Sequence, residues 1–215
     1  MSKIDTFKHL QNILSIDPYI LENISVLHGP SSVFYGSGAL GGAIILNTLN
    51  IDKLENSTSS FTQQYESSSS SVSSNFYSKY VINKSSFLSS ISVKKYGNLK
   101  MGNFLMHGYE DWGLSNFATN ENEQLFGKYS QYDLVQKMRI PINYTSTLRF
   151  NTQFSTTSKI NRFDKLNDES NGGPKYMFWY YGPQKRFLQS LNYNKKTNSF
   201  FADNCKISIN YQLIK

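Results

Sequence analysis

Three glycines, Gly36, Gly38 and Gly41, stand at the spacing G-x-G-x-x-G. In a dinucleotide-binding fold that spacing lets backbone amides approach a pyrophosphate. The chemistry also needs a strand before the glycines and a long helix after them, because the helix N-terminus holds the phosphates. Here the residues before Gly36 read as a short helical turn. Pro30 suits a helix start, Ser31 or Ser32 can cap it, and Gly36 can end it. The residues after Gly41, Ala43 to Leu46, are apolar and partly β-branched, as in a buried strand. A nucleotide-binding enzyme is therefore an alternative that requires a helix after Gly41.

The other reactive side chains do not converge in the sequence. His9, His28 and His107 lack metal-ligand spacing. Cys205 is the single cysteine, so no disulfide closes within the chain. No Ser/His/Asp or Cys/His arrangement stands out. The net charge of +7 is spread along 215 residues without a compact basic run, which argues against a nucleic-acid partner. The expectation is a protein with no catalytic residues, no metal and no cofactor.

The stretch leading into the glycines is more informative. Asp17-Pro18-Tyr19-Ile20-Leu21-Glu22-Asn23-Ile24-Ser25-Val26-Leu27-His28 runs into Gly29-Pro30-Ser-Ser-Val-Phe-Tyr35-Gly36-Ser-Gly38-Ala-Leu-Gly41-Gly42-Ala-Ile-Ile-Leu-Asn-Thr48. This run resembles the end of the plug domain of TonB-dependent outer-membrane receptors. In that family an Ile-Glu-Val-like strand enters Gly-Pro, a Ser-x-x-Tyr-Gly turn, Ala-x-Gly-Gly and a final strand. His28 replaces the usual basic or aromatic residue and Ser25 the usual Glu. The resemblance gives Gly29, Pro30, Tyr35, Gly36, Gly38, Gly41 and Gly42 a structural and conformational role, with no catalysis. Gly41 and Gly42 are expected to hold backbone against a neighbouring strand.

Composition agrees with a membrane barrel. Aromatic residues make up 15% of the chain and charged residues only 17%, while hydrophobic content is 39%. Barrel strands show one face to lipid and one to water, so they need few charges and many aromatics. No run approaches the roughly 20 apolar residues of a spanning helix. Past a polar stretch near 49–58 the texture turns to period-two alternation. Strands are expected at about 59–67, 72–82, 86–96, 130–140, 144–156, 183–194 and 199–214. Tyr132, Leu134, Met138 and Ile140 share a face opposite Asp133, Lys137 and Arg139. Leu148, Phe150 and Phe154 oppose Arg149, Asn151 and Gln153. A soluble β-rich binding module with one wet face predicts the same alternation. Connection lengths favour the barrel: 83–85, 141–143 and 195–198 are tight, whereas 97–129 and 157–182 are long. The serine run 67–71 reads either as a short loop or as a flexible linker.

The expected fold class is mainly β: the C-terminal part of a plug domain over 1–50, then an incomplete antiparallel transmembrane β-barrel of about seven strands over 51–215. The long loops carry His107-Gly-Tyr109-Glu-Asp-Trp112, Arg162 and Tyr176-Met-Phe-Trp179-Tyr180-Tyr181. With Tyr132 to Lys137, these resemble Bacteroidetes-type haem or cobalamin receptors. Tyr109, Trp112, Arg162 and Tyr176 are the candidate ligand-loop residues; Trp179, Tyr180 and Tyr181 read either as ligand contacts or as an interfacial aromatic girdle. The resemblance implies energised uptake of a scarce ligand (ferric siderophore, haem or cobalamin) across the outer membrane of a Gram-negative bacterium. Its partners would be the TonB complex and outer-membrane lipid. Such receptors close about 22 strands. The chain also lacks a signal peptide and the first half of a plug, so the expectation is a fragment that does not function alone.

Overall fold

The computed structural model describes residues 15–36, 39, 41–52, 54–100, 123–124, 126–166, 168–200 and 202–215. The amphipathic segment expected over 1–16 lies almost wholly outside them, as do Gly38, Tyr109 and Trp112. Asp17 caps a 3-10 turn at Pro18–Ile20, its side chain accepting from the Tyr19 amide. Strand β1, Leu21–His28, then pairs antiparallel with β2, Gly42–Thr48. A 3-10 turn at Pro30–Tyr35 joins them. A strand and not a helix follows Gly41, which removes the nucleotide-binding alternative.

Seven strands then form one antiparallel meander: β3 Thr58–Glu66, β4 Ser71–Ile82, β5 Ser85–Tyr96, β6 Tyr129–Pro141, β7 Ser146–Thr157, β8 Lys185–Ser199 and β9 Ala202–Ile214. Each pairs with the next in sequence, leaving β3 and β9 as open edges. The serine run is a four-residue turn that ends where β4 begins. Asn83 and Lys84 both have positive φ (47° and 68°), as a two-residue type I′ hairpin requires. One expected turn is misplaced: Lys195 to Asn198 belong to β8, and the chain reverses at Phe200. Three strand starts also shift: Tyr144 and Thr145 precede β7, Pro183 and Gln184 precede β8, and β9 begins at Ala202, three residues later than expected.

Because cross-strand partners share a face, the register sorts the side chains. One rung reads Phe61, Phe76, Ile91, Leu134, Phe154, Phe187, Leu213. Another, on the same face, reads Tyr80, Phe87, Met138, Phe150, Leu191, Ile209. Between them runs a polar rung, Ser59, Ser78, Ser89, Gln136, Thr152, Gln189, Tyr211, hydrogen-bonded in pairs. Ser59 Oγ donates to Ser78 Oγ (2.9 Å), Ser89 Oγ to Gln136 Oε1 (2.6 Å) and Thr152 Oγ1 to Gln189 Oε1 (2.6 Å). This face is exposed: Phe61 by 68%, Ile209 by 61% and Ile91 by 51%. It carries no charged side chain between the rungs of Lys185 and Lys195. Ten residues at about 3.4 Å each, tilted by about 40°, span roughly 25 Å, the height of the apolar band of a transmembrane barrel.

The opposite face is polar, and much of it is buried. Asn75, Ser90, Ser92, Lys94, Gln131 and Asp133 are each at most 5% exposed. The buried hydrophobic side chains of the described residues are Ile20 and Ile51, in the N-terminal segment, and Leu88 and Val135 on this inner face. The interior is therefore the contact between residues 15–52 and a polar wall. A sandwich core, which the soluble-module alternative needs, would instead bury the Phe and Ile rungs.

Candidate functional site: the N-terminal segment on the inner wall

Two carboxylates that flank the base of the β1–β2 hairpin, Asp17 before β1 and Asp52 after β2, meet cations of the wall. Asp17 Oδ1 lies 2.8 Å from Lys94 Nζ, and Ser92 Oγ donates to Asp17 Oδ2 at 2.5 Å. The same ammonium lies 2.8 Å from Asp133 Oδ2, and all three side chains are about 2% exposed. Gln131 Nε2 donates to both oxygens of Asp133 at 3.1 Å. Asn75 Nδ2 reaches Ser90 Oγ and Ser92 Oγ at 3.0 and 2.7 Å. Tyr19 adds its ring under Lys94 (5.7 Å) and its hydroxyl to Gln64 Oε1 (3.1 Å). A single lysine thus sits between two carboxylates that accept further hydrogen bonds from Ser92 and Gln131, the support a buried ion cluster needs, although the Asn75 Oδ1 beside it has no partner among the described residues.

On the β2 side of the same base, Lys137 Nζ donates to Thr48 Oγ1 and to the Leu49 carbonyl, both at 2.6 Å. Arg149 Nε donates to Asp52 Oδ1 at 2.8 Å. The Leu49 amide closes the hairpin base on the Ile20 carbonyl at 2.7 Å. Away from these anchors the segment is bare: Ile24, Val26 and Ile44 are more than half exposed, and Phe34 is 94% exposed.

The glycine-rich residues lie at the far end of the hairpin, in and beside the connection between β1 and β2. Gly29, not Ser31 or Ser32, takes the cap position of the second turn, at φ 79°. Ser32 is fully buried, and its hydroxyl donates instead to the carbonyls of Gly29 (2.8 Å) and Ala39. Pro30 opens the turn and Tyr35, 60% exposed, ends it before Gly36 at φ 124°. A Cβ on Gly42 would meet the Leu27 carbonyl oxygen at 2.7 Å, whereas one on Gly41 would meet nothing within 4 Å. Close backbone contact, expected for both, exists at Gly42 alone, because only Gly42 is a strand residue, paired with His28 beside Leu27.

Of the candidate loop residues, the structure brings two together. Arg162 Nη1 donates to Tyr181 Oη (2.7 Å) and the Arg162 amide to the Trp179 carbonyl (2.9 Å), while the Tyr176 ring packs edge-on against Trp179 at 4.6 Å. Lys159 lies 4.3 Å from the Tyr180 ring centre. Ile160 and Asn161 pair with Tyr181 and Tyr180, which extends the β7–β8 hairpin and orders this cluster. Sequence reasoning missed Asp17, Asp52 and Lys94 as anchors. Lys94 and Asp133 are charges at polar-face positions of paired strands, which is the one local signal they give. Among the described residues no three His, Cys, Asp or Glu side chains come together.

Residues 4–43 match the family model of the TonB-dependent Receptor Plug Domain. The matched stretch covers Asp17, β1, the second turn and the start of β2. No curated protein matches the chain.

Proposed function

We propose that this chain is part of a TonB-dependent outer-membrane receptor, with the end of the plug over residues 1–50 and barrel strands over 51–215. One observation carries this reading. The sheet exposes an uncharged apolar face and buries its polar face under a segment that matches a plug, the reverse of a water-soluble sheet. Such a receptor is a transporter of the Gram-negative outer membrane, not an enzyme. It takes up a scarce ligand (ferric siderophore, haem or cobalamin), with the TonB complex supplying the work. The likeness to Bacteroidetes-type haem and cobalamin receptors belongs to this proposal too. Gly29, Pro30, Tyr35, Gly36, Gly38, Gly41 and Gly42 would shape the plug apex.

The outer face gives the first test. Leu134→Lys places an ammonium amid the Phe and Ile rungs and costs about 2–4 kcal/mol at a bilayer midplane. Partition of the refolded chain into phosphatidylcholine vesicles, followed by flotation, should fall at least thirtyfold. Asn210→Lys, on the inner face, should leave it within about threefold. Equal small effects, with a soluble monomer, would restore the β-module reading.

The long loops give the second. Arg162 and Tyr176 already share a cluster, and with Tyr109 and Trp112 they are the proposed ligand contacts. Fluorescence titration of a full-length receptor carrying this segment with haemin, cyanocobalamin and a ferric siderophore should detect binding of one of them. Arg162→Ala and Tyr176→Ala should weaken that binding at least tenfold; Lys84→Ala, in the opposite turn, should not. Equal losses from all three would invert or dismiss the loop assignment.

A further inference from the structure

Below the Asp17 cluster the inner wall holds more positive charge than its acceptors balance. Lys79, Lys137, Arg139 and Arg149 all project from this face, and Arg139 stands directly opposite Arg149 on the neighbouring strand. Like charges so placed repel. Asp52 Oδ1 lies between them, 2.8 Å from Arg149 Nε and 3.6 Å from Arg139 Nε. The longer distance is not a hydrogen bond, and the buried Arg139 Nε finds no acceptor among the described residues. Lys137 rests on two uncharged oxygens, those of Thr48 and Leu49. The other carboxylate in electrostatic reach of Lys137 is Glu22. Four cations thus face two carboxylates. The acceptors that touch Lys137 and Arg149 come from the stretch 48–52, beside which a cleft opens between Asn50, Asp52, Lys137, Arg149 and Asn151.

We propose that this wall is an anion-binding site kept closed by Asp52, which occupies it as an internal substitute. When the stretch 48–52 leaves the wall, Arg139, Arg149 and Lys137 lose their acceptors together. They then take the carboxylate, phosphate or sulfate group of an anionic solute. Opposed guanidinium forks suit a tetrahedral or planar oxyanion, since each offers paired N–H donors. The site rests on geometry alone; its service as a station for anionic cargo passing the plug rests on the receptor reading.

The test uses the whole chain in detergent micelles and inorganic phosphate as probe, read by calorimetric titration at constant ionic strength. Asp52→Asn keeps the side-chain shape and removes only a partly exposed pairing, so it should fold; Asp52→Ala serves as a second opening variant. Both should bind phosphate at least tenfold more tightly than the parent chain, with a phosphate-dependent rise in unfolding midpoint. Arg139→Gln with Arg149→Gln, added to Asp52→Asn, should abolish binding. Unchanged affinity in both Asp52 variants, or binding that survives loss of both arginines, would overturn the proposal. Phenyl phosphate separates the two sources: binding like inorganic phosphate assigns the site to a group carried on a larger solute, and exclusion assigns it to the free ion. Failure of the vesicle test with intact phosphate binding would dismiss the receptor reading and keep the site.

Discussion

Lys94→Met should destabilise the folded chain by about 3–5 kcal/mol, the cost of breaking a buried ion cluster by removing one member. The ammonium is 2.8 Å from both Asp17 and Asp133, so its loss leaves two buried carboxylates with no cation between them. Urea unfolding in detergent micelles measures the loss. The physical cause is separable from lost packing. In the triple variant Asp17→Asn, Lys94→Met, Asp133→Asn, nothing charged remains to be stranded, and stability should return to within about 1 kcal/mol of the parent. Limited proteolysis adds a structural readout, since the single variant should expose the β1–β2 hairpin to cleavage and the triple variant should not. A single variant as stable as the parent would mean that the segment is held by something other than this cluster.

Gly42→Val should cost about 2–4 kcal/mol, combining strain at a positive φ with overlap against a carbonyl. The backbone there has φ 153°, and the new Cβ would approach the Leu27 oxygen to 2.7 Å, a contact with main chain that cannot swing aside. Gly41→Ala, one residue earlier, enters open space and should change stability by less than about 0.5 kcal/mol. The contrast is the useful part. Equal effects at the two positions would show that the glycine pair acts through chain flexibility and not through the β1–β2 contact.

Strand identity was legible because period two is local. All seven strands of the large sheet lie within a few residues of the alternating stretches, and the face assignments of Tyr132, Leu134, Lys137 and Arg139 follow from parity alone. The turn near Lys195 was not legible. Lys195-Lys196-Thr197-Asn198 has the composition of a turn, yet pairing with Cys205 and Asn204 carries Lys195 and Lys196 into β8. The anchors were illegible for a different reason. Asp17 and Lys94 are 77 residues apart and meet only because the N-terminal segment lies back across the wall. Single-sequence patterns report which side a residue faces but not what arrives to cover it. The difference between Gly41 and Gly42 was hidden likewise, since only the pairing register puts Leu27 beside one and not the other.

The polar rung from Ser59 to Tyr211 has a consequence for register. In a meander whose strands all alternate, sliding one strand by two residues preserves every inward and outward assignment, so alternation cannot reject the slip. Hydrophobic contact cannot reject it well either, because Phe, Leu, Ile and Met exchange places cheaply. A slip of β6 against β5 would, however, set Gln136 beside a Phe or Ile and leave Ser89 facing Leu134 or Met138, each amide and hydroxyl without its partner. The same holds for Thr152 and Gln189 between β7 and β8. The rung therefore works as a vernier. A line of polar groups on the apolar face thus makes a two-residue slip cost hydrogen bonds, a penalty that alternation alone would not impose.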